Sequence, residues 1–287
     1  MFQNKVANRR SFLRCAGIAG AAAAGTGLVA VTPMRAQAPI GQFKFDTPTE
    51  IFTAALIAED LATTFYYNGL IGACIQDPSL AGPGGTATNV TASGNAGNVN
   101  YLQAALSEEI AHANLLRALL GISAPANDPV QTFYLPKAAF ATAPAFLSLL
   151  DTLESAFIGA YLLAVRSFAY MSALLKGGGV GGYTNFQDFA YTTDQVQYYG
   201  EVAASILGVE AEHRVLGRVI SNTNPANNLC YEQNDGLGAV YTGPASAVAA
   251  LTPFLAPGDG LTAYSFATAL ANQASVSLPC SGGLPPQ

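Results

Sequence analysis

Apolar side chains recur at helical spacing over four long stretches, Thr47 to Cys74, Val99 to Leu120, Pro144 to Lys176 and Thr193 to Ile220. The third opens with proline at a first-turn position and runs into Gly177-Gly178-Gly179, which marks its end. Polar, turn-rich connections separate the four: Asp77 to Asn98, Gly121 to Ala143 and Gly177 to Thr192. Strand-like alternation is scarce. A tail follows over 223–287, with short helices expected at Ala245–Leu251 and Leu261–Ala274. The pattern predicts an all-α fold, a four-helix bundle over 45–222 with long loops and a C-terminal helical tail.

The residues before this bundle have another character. Asn8-Arg9-Arg10-Ser11-Phe12-Leu13-Arg14 is followed by an uncharged Ala/Gly-rich run from Cys15 to Met34 and by Ala36-Gln37-Ala38. A basic head, a soft apolar stretch and small residues at the end make residues 1–38 a signal peptide. The paired arginines before Phe-Leu-Arg resemble the twin-arginine export signal. About 20 uncharged residues can also span a bilayer, but the Ala/Gly composition is weak for an anchor. Pro39 sits awkwardly after the cleavage position, so cleavage elsewhere stays open. The expected location is periplasmic or extracellular, reached through the twin-arginine translocation machinery, which carries cargo already folded. No later segment is expected to cross a membrane, since Asp151, Glu154 and Arg166 interrupt the most apolar one, Ala145 to Leu175.

Half of the 287 residues are apolar and 10% are charged, which excludes a disordered chain. Every acidic residue lies after position 45; beyond residue 38 there are 7 basic and 18 acidic residues, a net charge of −11. A nucleic-acid partner is excluded at that charge. Small cations are attracted by it.

The chain has two histidines, each with a glutamate three positions earlier: Glu109-Ile-Ala-His112 and Glu210-Ala-Glu-His213. With nine glutamates in the chain, chance places one at such a position about 3% of the time, and at both about one time in a thousand. An i, i+3 pair shares a helix face, so both side chains can reach one metal ion. The motif continues as E-x-x-H-x-x-L-x-R in both copies, through Leu115 and Arg117 and through Leu216 and Arg218. The first and third helices echo each other too. Glu59 is followed seven residues later by Tyr66, and Glu154 by Tyr161, two turns along one face. Both glutamates stand in apolar surroundings, where a carboxylate needs a partner, a metal or a proton. The order Glu…Glu-x-x-His therefore occurs twice, as two helical hairpins related by an internal repeat.

This arrangement resembles the ferritin-like superfamily, whose dinuclear sites take one Glu from each of two helices and Glu-x-x-His from each of the other two. More narrowly, the chain is similar to exported ferritin-like proteins related to desiccation-related proteins. The segments that carry the likeness are Ala58 to Tyr66, Glu108 to His112, Leu153 to Tyr161, Ala204 to His213 and Ala245 to Leu255. The resemblance implies that Glu59 and Glu154 are terminal carboxylates, that Glu109 and Glu210 bridge, and that His112 and His213 bind one ion each. Two iron or two manganese ions suit this mixed nitrogen and oxygen set. Tyr66 and Tyr161 are candidates for holding carboxylates across the bundle.

Other polar residues read as ordinary surface. Glu108, Glu201 and Glu212 are expected to face outward, and Arg117 and Arg218 to form ion pairs near helix ends. Cys15 belongs to the leader, and Cys74, Cys230 and Cys280 include no C-x-x-C, which disfavours a cysteine-ligated iron site. An odd number of thiols in an oxidising compartment suggests one pair, for which Cys230–Cys280 is the candidate. The implied functions are a redox metalloprotein using dioxygen or peroxide, an envelope stress protein with a vestigial site, or a metal-sequestering protein without turnover. Metal ions and a small oxidant are the expected partners; a homo-oligomer stays open.

Overall fold

The computed structural model describes residues 46–176, 191–223, 226 and 251–278. Four long helices dominate it: α1 Pro48–Ile71, α2 Ala96–Leu120, α3 Ala143–Leu175 and α4 Thr193–Ile220. Each starts on a side-chain cap. Thr47 with Glu50 and Thr192 with Gln195 form capping boxes, and Asn95 and Thr142 accept from the backbone three residues on. α2 stops at Gly121, whose φ of 68° is a conformation that costs glycine nothing.

The helices pack as two hairpins, α1 on α2 and α3 on α4. The hairpins meet chiefly through α1 against α3, and to a lesser extent through α2 against α4. The all-α four-helix bundle is therefore as expected. Two apolar clusters fill it. One gathers Leu61, Phe65, Leu102, Leu106, Phe146 and Leu150, and the other Phe52, Leu116, Phe168, Met171, Val196 and Ile206. The sequence positions of Glu59, Glu109, His112, Glu210 and His213 fall between the two.

The tail departs from expectation. Residues Leu261–Ser265 form a strand, β2, not the start of a helix. It pairs antiparallel with β1, Thr132–Pro136, in the register Thr132↔Ser265 to Pro136↔Leu261. The segment Leu-Thr-Ala-Tyr-Ser tolerates either state, and the β1 edge supplies the hydrogen bonds that decide it. Ser265 then caps a short helix, α5 Phe266–Asn272, which lies on α1. Of the helix expected at Ala245–Leu251, only Leu251 lies among the described residues. Residues 1–38, where a signal peptide is expected, and Cys230 and Cys280 also lie outside them. Cys74 is a buried free thiol, pushed up to about 12 by burial.

By length and apolar character alone α3 could cross a membrane; a buried core helix has the same character. Within the bundle, Glu154 and Tyr161 on this helix are buried.

Candidate metal centre

The bundle brings all six residues of the repeated motif together. Their ligand atoms form two overlapping sets, Glu59, Glu109, His112 and Glu210, and Glu109, Glu154, Glu210 and His213. Within each set the atoms lie within 4.8 Å of one another. Glu109 and Glu210 belong to both. Helical geometry explains the sharing: each Glu-x-x-His aims both side chains across the bundle from one turn, while Glu59 and Glu154 enter from the partner helix of each hairpin.

Both imidazoles turn Nδ1 inward. His112 Nδ1 lies 3.3 Å from Glu59, 3.4 Å from Glu210 and 3.7 Å from Glu109. His213 Nδ1 lies 3.0 Å from Glu109, 3.6 Å from Glu210 and 3.9 Å from Glu154. The tyrosines cross between hairpins. Tyr66, seven residues after Glu59, donates its hydroxyl to Glu154 at 2.6 Å, and Tyr161, seven residues after Glu154, donates to Glu59. Each phenol thus holds the carboxylate of the opposite repeat.

Four carboxylates and two imidazoles share a space almost closed to water. Burial, reinforced by Glu210 and Glu109, holds Glu59 well above the usual carboxylate range, and burial with Glu210 does the same to Glu154. Burial pushes Glu109 upward as well, but the two imidazoles against it outweigh that and hold it well below. Burial disfavours a charged His112, yet Glu59, Glu109 and Glu210 overcome it and raise the ring far above its ordinary value. His213 is raised in the same way by Glu108, Glu109 and Glu210, against its burial. Burial and the facing carboxylates raise the phenols of Tyr66 and Tyr161.

Even so, six buried atoms of this cluster make no hydrogen bond among the described residues: both oxygens of Glu109, both of Glu210, Oε2 of Glu154 and Nδ1 of His213. Unpaired buried acceptors are costly, and these six converge on one space. Oxygen and imidazole donors so arranged fit a divalent cation of the harder or borderline kind.

The neighbouring polar residues split. Glu201 and Glu212 are exposed, as expected. Glu108 is not simply outward: it is half-exposed and accepts from His213 Nε2 at 2.8 Å. Arg117 forms its ion pairs in the last turn of α2, as expected, but it does so buried. It donates to Asp60 and to Asp128, both at 2.7 Å, and to Asn114 at 3.0 Å. Its guanidinium lies 5.5 Å over the Phe266 ring, which joins the tail helix to α1 and α2. Arg218 pairs with Asp151 at 2.7 Å. The repeated arginine is visible in the motif, but Asp60 lies 57 residues from Arg117 and Asp151 lies 67 from Arg218, where no local spacing reports them.

A family model described as a ferritin-like domain matches residues 47–171. That span holds α1, α2 and most of α3, with Glu59, Glu109, His112 and Glu154; Glu210 and His213 lie beyond it. The match supports placement in the ferritin-like superfamily. No curated protein and no solved structure matches the chain.

Proposed function

We propose that the chain binds two iron or two manganese ions and reacts with dioxygen or hydrogen peroxide, as a catalase-like or ferroxidase-like oxidoreductase. One observation carries this reading: two four-residue donor sets share Glu109 and Glu210 and leave six buried donor atoms without partners. In it, Glu109 and Glu210 bridge, Glu59 and Glu154 are terminal, and His112 and His213 take one ion each. Two such ions would supply the electrons for the reaction with the oxidant. The protein's part is to hold the donors, to exclude water with the two apolar clusters, and to fix Glu59 and Glu154 through Tyr161 and Tyr66. Four carboxylates balance two divalent ions, which keeps a buried centre neutral.

Export belongs to the same proposal. The twin arginines and the Ala/Gly-rich run support delivery of the folded, metal-loaded protein to the periplasm or beyond, in keeping with kinship to desiccation-related proteins.

Elemental analysis of protein purified from its native host, beside a Glu109→Ala/His112→Ala variant, tests the reading. The expected result is about two iron or manganese ions per chain, lost in the variant. Assays with peroxide and with ferrous iron then separate the two activities. No stoichiometric metal in the wild type overturns the proposal and leaves a bundle that serves as a scaffold.

A further inference from the structure

The two halves of the centre match in donor type and differ in how their histidines are held. His213 is 1% exposed at its side chain, and its outer nitrogen, Nε2, donates to Glu108 Oε2 at 2.8 Å. His112 is 12% exposed, and among the described residues its Nε2 has no hydrogen-bond partner. The repeat explains the difference. Glu108 immediately precedes Glu109 in the first motif, Glu108-Glu109-x-x-His112, and caps the histidine of the second. The residue in the corresponding place of the second motif is Val209, in Val209-Glu210-x-x-His213. Valine has no acceptor to offer, so the reciprocal cap on His112 cannot form.

A hydrogen bond from the outer nitrogen puts the proton on Nε2, leaves the lone pair of Nδ1 toward the cluster, and fixes the ring plane. The same bond ties α2 to α4 beside the site. We infer that Glu108 is a positioning residue for His213, which makes the set Glu109, Glu154, Glu210 and His213 the first and tighter of two unequal metal positions. The set Glu59, Glu109, His112 and Glu210 then fills second. This rests on the dinuclear reading above and adds to it an order of loading set by one half-exposed side chain.

Stepwise binding tests it without any turnover assay. The metal-free full chain is titrated anaerobically with Mn(II) by calorimetry and with Co(II) by ligand-field absorption. The wild type should take up ions in two resolved steps. Glu108→Ala should weaken the first step about 10–100-fold, the range for removing a partner of a metal-bound histidine, and leave the second, so that the steps merge. Glu108→Gln keeps an oxygen acceptor for Nε2–H and should retain most of the first step. Glu212→Ala removes a carboxylate from the exposed residue beside His213 without touching the hydrogen bond, and should change neither step. Glu108→Lys replaces the acceptor by a donor and should weaken the first step at least as much as alanine; circular dichroism melts confirm that each variant is folded.

The inference is overturned if folded Glu108→Ala or Glu108→Lys titrates like the wild type, if Glu212→Ala has the same effect as Glu108→Ala, or if the wild type binds two ions in equal steps. A wild type that binds no ion overturns the dinuclear reading instead, so the two failures are distinguishable.

Discussion

Two clusters of buried charge sit side by side in this bundle, and neighbouring residues of α1 open them: Glu59 belongs to one and Asp60 to the other. Around Asp60, a single guanidinium settles most of the account. Arg117 donates to Asp60, Asp128 and Asn114, and two oxygens, Oδ2 of Asp60 and Oδ1 of Asp128, stay without partners. Around Glu59, four carboxylates face two imidazoles, and six donor atoms stay without partners. Arginine is a permanent cation with a forked set of donors that suits carboxylates. Histidine brings fewer donors and a charge that can be given up. The contrast separates a cluster whose cation is built in from one whose donor atoms could hold a cation from outside.

Removing the built-in cation should have the largest effect on stability. Arg117→Met leaves Asp60 and Asp128 as buried carboxylates without a counter-charge, which costs about 3–5 kcal/mol in cases of this kind. Chemical denaturation should show that loss, and the tail should loosen from Phe266. The folded variant should still bind as many ions as the wild type. Saturating Mn(II) should raise the stability of variant and wild type by the same increment, because the ion enters the other cluster. A variant that lost its metal would mean that the two clusters work as one.

The opposite sign is expected in the other cluster. Glu154→Gln removes a carboxylate that burial and Glu210 already make hard to ionise. The amide can also donate to oxygens that now lack partners. The metal-free variant should gain about 0.5–2 kcal/mol, the range of single stabilising substitutions, and should bind metal poorly. The pH dependence has a definite direction. Glu59, Glu154, His112 and His213 are all raised in the folded protein. Their contribution is complete below their unfolded values, about 4.3 for Glu and 6.5 for His, and is lost as pH rises through the folded ones. Glu109 runs the other way: it is lowered, its contribution is present above the unfolded value, and it is lost only in acid. Melting temperature of the metal-free protein should therefore fall between pH 6 and 8, less steeply in Glu154→Gln. The increment added by metal should grow over the same interval, since binding expels protons. A metal-free protein that became more stable with pH would refute the assignment.

The two clusters were not equally legible in the sequence. The metal-centre residues are spaced by three and seven within single helices, and helical periodicity alone puts each pair on one face. Thr193–Ile220 folds as its pattern predicts, bounded by the Thr192 and Gln195 capping box. The arginine cluster joins Asp60, Arg117 and Asp128 from α1, α2 and a loop, so only the packed bundle reveals it. Glu108 escaped for the same reason: its partner is 105 residues away, and its half-exposure makes it look like solvent-facing charge. β2 escaped because five residues of mixed propensity take their state from the strand beside them.

The smallest effects should come from the phenols that brace the centre. Tyr66→Phe removes the donor to Glu154 and Tyr161→Phe the donor to Glu59, with little change of volume. Each leaves a carboxylate to find its orientation without a fixed partner. Ion affinity should drop about tenfold in each, the low end for loss of an outer hydrogen bond, and the number of ions bound should not change. The repeat predicts more than the size. Tyr66 acts on the position that Glu108 also supports through His213, whereas Tyr161 acts on the position of the uncapped His112. Calorimetric titration should therefore show Tyr66→Phe weakening the first step and Tyr161→Phe the second. Equal weakening of both steps by either variant would mean that the phenols stiffen the bundle as a whole and do not brace one carboxylate each.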